Sequence, residues 1–112
     1  RSQYAKEFLE LENLFVDSKT PVPFFRFLDE TAASFRLRIE KAPGPIQHEE
    51  GDRWSSFDIR LAGRGLYPDF MAFLQKIENA PYLLEVGTLT LSENPPAGGE
   101  IEFSLSVKVF TK

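Results

Sequence analysis

Residues 57–92 constrain the fold most, because the apolar spacing within them switches from strand to helix and back. Phe57-Asp58-Ile59-Arg60-Leu61-Ala62 alternates, so Phe57, Ile59 and Leu61 share one face of a strand. Gly63-Arg64-Gly65 interrupts that alternation and predicts a tight strand-to-helix turn, since glycine adopts backbone angles closed to other residues. From Tyr67 the period becomes helical. Tyr67, Phe70, Met71, Phe73, Leu74 and Ile77 gather on one side. Pro68 suits a first helical turn, where its missing N–H costs nothing, and Asp69 complements the positive helix end. Pro81 ends the helix, and residues 84–91 return to a strand pattern.

The remaining chain extends this unit. Tyr4, Phe8, Leu11 and Phe15 are spaced by four, three and four, which predicts a helix over 3–16 with a heptad-like seam. Pro21 and Pro23 separate it from a second helix over 23–34, whose core stripe is Phe24, Phe27, Leu28 and Ala32, with Phe25 off the stripe. Residues 35–41 alternate as a first strand with Phe35, Leu37 and Ile39 inward, and 42–53 read as loop. In the strand after Pro81, Leu84 and Val86 are out of phase with Leu89 and Leu91, so a bulge at Gly87 is expected. After a turn over 94–99, Ile101, Phe103, Leu105, Val107 and Val109 alternate with polar residues. The division expected is an N-terminal helix in 1–20, the end of a coiled coil, and a folded domain in 21–112.

Four half-apolar strands and two apolar-striped helices predict an α+β fold of two layers, a four-stranded antiparallel sheet with helices on one face. The crossover from the Phe57 strand to the Leu84 strand leaves a gap that the Ile101 strand fills, giving the order third, fourth, second, first. This is a circularly permuted ferredoxin-like sandwich, α-β-β-α-β-β, plus the N-terminal helix. Ser56, Asp58, Arg60, Ser104, Ser106 and Lys108 are expected on the solvent face.

Several function classes are disfavoured. Thirteen basic against 17 acidic residues give a net charge of −4, which argues against nucleic-acid binding. The absence of cysteine removes thiolate chemistry and disulfides. No apolar run approaches the roughly 20 residues that cross a bilayer. The start at Arg1, inside a helical pattern, reads as a soluble fragment whose membrane anchor lies upstream.

Gly63-Arg64-Gly65 before a helix looks like a phosphate loop, but Pro68 occupies the position of the third glycine and Asp69 already places negative charge there. His48, the sole histidine, sits beside Glu49, Glu50 and Asp52, yet adjacent residues rarely converge on one ion. No nucleophile has an evident histidine partner. No cofactor, metal or catalytic residue is therefore expected. The edge strands differ more usefully. Arg36, Arg38, Glu40 and Lys41 charge the first strand against pairing, whereas the third carries only Glu85 between Leu84 and Ser92. The expected partner surface is thus Glu85, Thr88 and Thr90 on that edge, with Tyr4, Phe8, Leu11 and Phe15 on the seam, Phe25, and Trp54 as a candidate hot spot.

Gly65-Leu66-Tyr67-Pro68-Asp69-Phe70-Met71-Ala72-Phe73-Leu74, continued by Ile77-Glu78-Asn79-Ala80-Pro81, resembles the PilO family of type IV pilus proteins. There a strand precedes a Gly-x-Tyr turn, then a helix with Phe-Leu in its middle and Glu and Pro near its end, then an apolar strand. PilN and the type II secretion protein GspM look alike at this level. The resemblance implies a single-pass inner-membrane protein with a periplasmic coiled coil and a ferredoxin-like domain. Such proteins are not enzymes; they form homodimers, and heterodimers with PilN-like domains, that align the pilus or secretion machine. The alternatives on the same sandwich are a small-ligand or regulatory domain, and an enzyme of acylphosphatase type, whose Arg and Asn arrangement has no counterpart here.

Overall fold

A computed structural model of the chain describes residues 15–17, 19, 21–48, 50–51, 53–93 and 99–111. Helix α1 spans Val22–Ser34 and is followed by β1 (Arg38–Pro43) and β2 (Ser55–Leu66). Helix α2 (Tyr67–Glu78), β3 (Leu84–Glu93) and β4 (Glu100–Thr111) complete the chain. All neighbouring strands are antiparallel, in the order β1-β2-β4-β3, as expected. The predicted helix over 3–16 lies outside the described residues except for its end. There Val16 is not helical. Its N–H donates to the Phe110 carbonyl at 3.1 Å and the residue forms a parallel bridge with Thr111.

The helices and one sheet face enclose the core. Phe24, Leu28 and Ala32 from α1 and Phe70, Phe73, Leu74 and Ile77 from α2 are buried against the inward residues of β2 and β4. Rings knit the two layers together. Phe70 lies 4.5 Å from Phe103 between centroids, and Phe24 meets Tyr82 edge-on at 5.1 Å, spacings at which aromatic pairs attract beyond their area burial. Phe27, expected in the core stripe, is half-buried against Tyr82 at 5.3 Å. Ser56, expected on the water-facing side, is buried, because Gln47 pairs with it and folds the 44–48 segment over it.

The first strand begins later than its alternation suggests. Phe35 caps α1, Arg36 turns left-handed at φ 60°, and Leu37 is buried beyond the turn. Arg36 N–H donates to the Ala33 carbonyl and Leu37 N–H to the Ala32 carbonyl, the two bonds of a Schellman cap. A left-handed position usually held by glycine is held here by arginine, so the alternation of Phe35-Arg36-Leu37 hid a helix stop. A β-carbon there is strained by about 1–2 kcal/mol. Arg36→Gly should therefore raise the unfolding free energy by up to about 1 kcal/mol in a denaturant titration, the entropy of the unfolded glycine offsetting part of the relief. A loss of stability would show that the arginine side chain contributes more than its strain costs. At its other end β1 runs on to Pro43, into residues expected to be loop.

Gly63-Arg64-Gly65 do not form the expected turn. They continue β2 to Leu66, and α2 starts at the next residue without a loop. Their register with β4, Gly63 opposite Phe103 and Gly65 opposite Ile101, puts both glycines on the inward face. A β-carbon on Gly63 would collide with the Arg38 carbonyl and stand 2.8 Å from Phe103 Cζ, and one on Gly65 would collide with Leu37 Cδ2. Both glycines thus provide space for neighbours rather than unusual backbone angles. Tyr67 and Met71, expected in the core, are instead exposed at 48% and 40%.

Candidate interaction surface

β1 and β3 form the two sheet edges. β1 presents Arg38 and Glu40, and its Lys41 pairs with Asp29 of α1 at 2.5 Å. Charge and the adjoining helix blunt that edge against strand pairing. β3 differs. Its residues from Gly87 to Glu93 are all exposed. The phase slip seen in the sequence is a register shift between Val86 and Leu89, so a bulge is present where it was expected. After it, Leu89 and Leu91 oppose buried Leu105 and Phe103, which places them on the helix face. They remain 38% and 40% exposed.

Ala72, Gln75, Lys76 and Asn79 line a cavity with Phe35, at the end of α1, so that side of α2 faces α1. Tyr67 and Met71 precede Gln75 and Asn79 on one i, i+4 ridge, so their exposed surface belongs to that side of α2. Leu89 and Leu91 therefore lie exposed on the helix face beside a strand edge with Thr88 and Thr90 at its middle. Exposed apolar patches of this kind mark interaction sites. Glu85, expected on the partner surface, stands in register with Lys108 of β4. Periodicity marked Leu89 and Leu91 as apolar but not as uncovered; that follows from their place in the later half of an edge strand whose first residues, Leu84 and Val86, are the ones packed on the core.

The other expected contact residues lie elsewhere. Phe15 is buried in its own domain, 5.1 Å from Trp54 between centroids, and Arg53 lies 5.8 Å from the indole centroid. Trp54 is 38% exposed. Phe25 is half-buried, 6.4 Å from Phe57, and lines an apolar cleft of about 260 Å³ with Pro21, Pro43, Gly44 and Ile46. Tyr4, Phe8 and Leu11 lie outside the described residues. Of the described positions, Phe15 and Trp54 pack on each other, and Phe25 packs on Phe24 and Phe57. Of the acidic loop, His48 Nδ1 stands 3.3 Å from Ser55 Oγ, and among the described residues no three potential metal ligands converge.

Comparison with solved structures places this architecture. The crystal structure of the type 4 fimbrial biogenesis protein PilO from Pseudomonas aeruginosa superposes with a TM-score of 0.73, covering 98% of this chain and 87% of that one at 18% identity. The chain has the fold of PilO. The core region of PilO from the type IV pilus system of the same organism superposes with a TM-score of 0.66 at 15% identity, over 77% of this chain and 88% of that one. No protein-family model matches the chain, and no curated protein sequence matches it significantly. The PilO-like fold accounts for the α-β-β-α-β-β order, and the Gly65-Leu66-Tyr67 segment lies at the junction of its β2 and α2.

Proposed function

We propose that this domain is a non-enzymatic scaffold of a type IV pilus inner-membrane alignment subcomplex, or of the related type II secretion machine, acting in the periplasm through homo- and heterodimerisation. The observation that carries the reading is the pairing of a PilO-like fold with an uncovered sheet edge flanked by exposed Leu89 and Leu91. Unpaired backbone donors and acceptors along an edge recruit another strand. Its partners are a second copy and a PilN-like paralogous domain, and contact with the membrane is through an anchor segment and not through this domain.

The test is sedimentation across a concentration series, for the chain alone and mixed with a PilN-like domain. A reversible complex is expected. The double variant Thr88→Lys, Thr90→Lys should dissociate it at least tenfold more readily while unfolding within about 0.5 kcal/mol of the parent, as exposed substitutions do. Failure to associate with either partner up to about 1 mM, an affinity of only about 4 kcal/mol, would overturn the scaffold reading.

A second reading, a small-ligand-binding or regulatory domain, draws on the apolar cleft beside Phe25 and Phe57. It predicts a rise in melting temperature with a small apolar ligand that Phe25→Asp abolishes.

A further inference from the structure

The β3 edge is self-complementary in one register, and we propose that it pairs with β3 of a second copy about a two-fold axis at Thr90. This rests on the scaffold reading and names the contact by which it operates.

Two identical antiparallel strands are related by a two-fold axis perpendicular to the sheet, so each face continues into the same face of the partner copy. Facing residues then share a side, and their numbers sum to an even value. Four registers bring the exposed half of β3 against itself, with sums of 176, 178, 180 and 182. A sum of 176 puts the axis at Thr88 and both bulges at the centre of the paired segment. A sum of 178 sets Gly87, at the bulge, opposite Leu91 and leaves each Leu91 without an apolar partner. A sum of 182 sets Leu89 opposite Glu93, an apolar side chain against a carboxylate.

The sum of 180 has none of these faults. Thr90 faces Thr90 of the second copy, Thr88 faces Ser92, and Leu89 faces Leu91. The leucines of both copies, each 38–40% exposed, meet on the helix face as a four-residue apolar cluster. The threonines and serines meet on the opposite face as hydroxyl pairs, a favourable cross-strand combination. Gly87 and Thr88 form the bulge against Ser106, so the bulge sits at each margin of the ladder, with Gly87 opposite Glu93. Glu85 lies beyond it, in register with Lys108 of its own β4. Pairing over residues 88–92 joins the sheets into one of eight strands, with all four helices on one side.

Because the chain has no cysteine, single cysteines test the register directly. In the parent 112-residue chain, Thr90→Cys should oxidise to a covalent dimer, since facing Cα atoms about 4.5–5.5 Å apart admit a disulfide. Thr88→Cys alone should not, because the two copies of that position lie four residues apart along the strand, roughly 13 Å. A charge exchange provides a second readout. Thr90→Lys and Thr90→Glu should each weaken self-association at least tenfold by placing like charges across the axis. Mixing the two variants should restore association as a one-to-one heterodimer. Three results would overturn the register. They are a strict monomer up to about 1 mM, a covalent dimer through position 88 instead of 90, or an association that neither charge variant weakens. The last leaves the scaffold reading standing and removes only this contact. A monomer that still binds a PilN-like domain does the same.

Discussion

Phe73→Ala should lower the unfolding free energy by about 3–5 kcal/mol, the range for truncating a fully buried phenylalanine. Phe73 has no exposed surface and stands 6.4 Å from Phe103 between centroids, at the junction of α2 and the central strand β4. Both Phe73 and Phe70 rest on Phe103, and Phe103 lies over the inward-facing Gly63. Removing the ring leaves a void lined by elements that cannot all move inward, since β4 is held by hydrogen-bonded neighbours on both sides. Against a total of about 5–15 kcal/mol for domains of this kind, such a loss consumes a large share of the margin. Guanidinium titration is the measurement, and a change below about 1 kcal/mol would remove Phe73 from the core.

Gly63→Ala should cost about 2–3 kcal/mol, near the upper end of what overpacking by one methyl does. The new carbon meets the Arg38 carbonyl on one side and the Phe103 ring, itself pinned by Phe70, on the other. Neither yields cheaply, because one is backbone and the other is core. The adjacent edge strand β1 is the element free to shift, so amide exchange in Arg38–Pro43 should quicken more than in β4. Gly87→Ala is the control. A β-carbon there would stand 3.3 Å from the Ser106 carbonyl, at an exposed bulge with room to relax. It should change stability by less than about 1 kcal/mol. Equal effects at the two sites would show that Gly63 is retained for backbone freedom and not for space.

The contrast between these glycines explains what could be read in the sequence. Alternation in Phe57–Leu61 and Ile101–Val109, and helical spacing through Phe70, Phe73 and Ile77, are the direct imprint of burial. They led to the strand order and the core. The slip between Val86 and Leu89 exposed the bulge, because a change of phase in an edge strand has few other causes. Two features were not legible. A glycine needed for space looks the same as one needed for a turn, so Gly63 and Gly65 ended β2 too early on paper. A Schellman cap built on Arg36 carries no glycine to announce it. Exposure was the harder quantity. Tyr67 and Met71 belong to the apolar arc of α2, and Leu89 and Leu91 to the inward phase of β3, yet all four are 38–48% exposed. Periodicity reports which side an element turns to its neighbours, and not how far those neighbours extend. The candidate surface was therefore legible as an edge of low charge, while its leucines were not.

The clasp between Val16 and the end of β4 determines how this domain would respond to mechanical tension. Val16 bridges Thr111, donates to the Phe110 carbonyl, and is followed back along the chain by Phe15 packed on Trp54. A pull exerted upstream of Phe15 thus reaches the sheet at a central strand and not at an edge. Among the described residues the clasp rests on this backbone hydrogen bond, the Phe15–Trp54 ring contact and the burial of Val16, whereas β4 is bound to β2 through twelve facing residues. Under load the clasp yields first, lengthening the tether while the sheet stays folded, so the domain behaves as a stiff bead on an extensible lead.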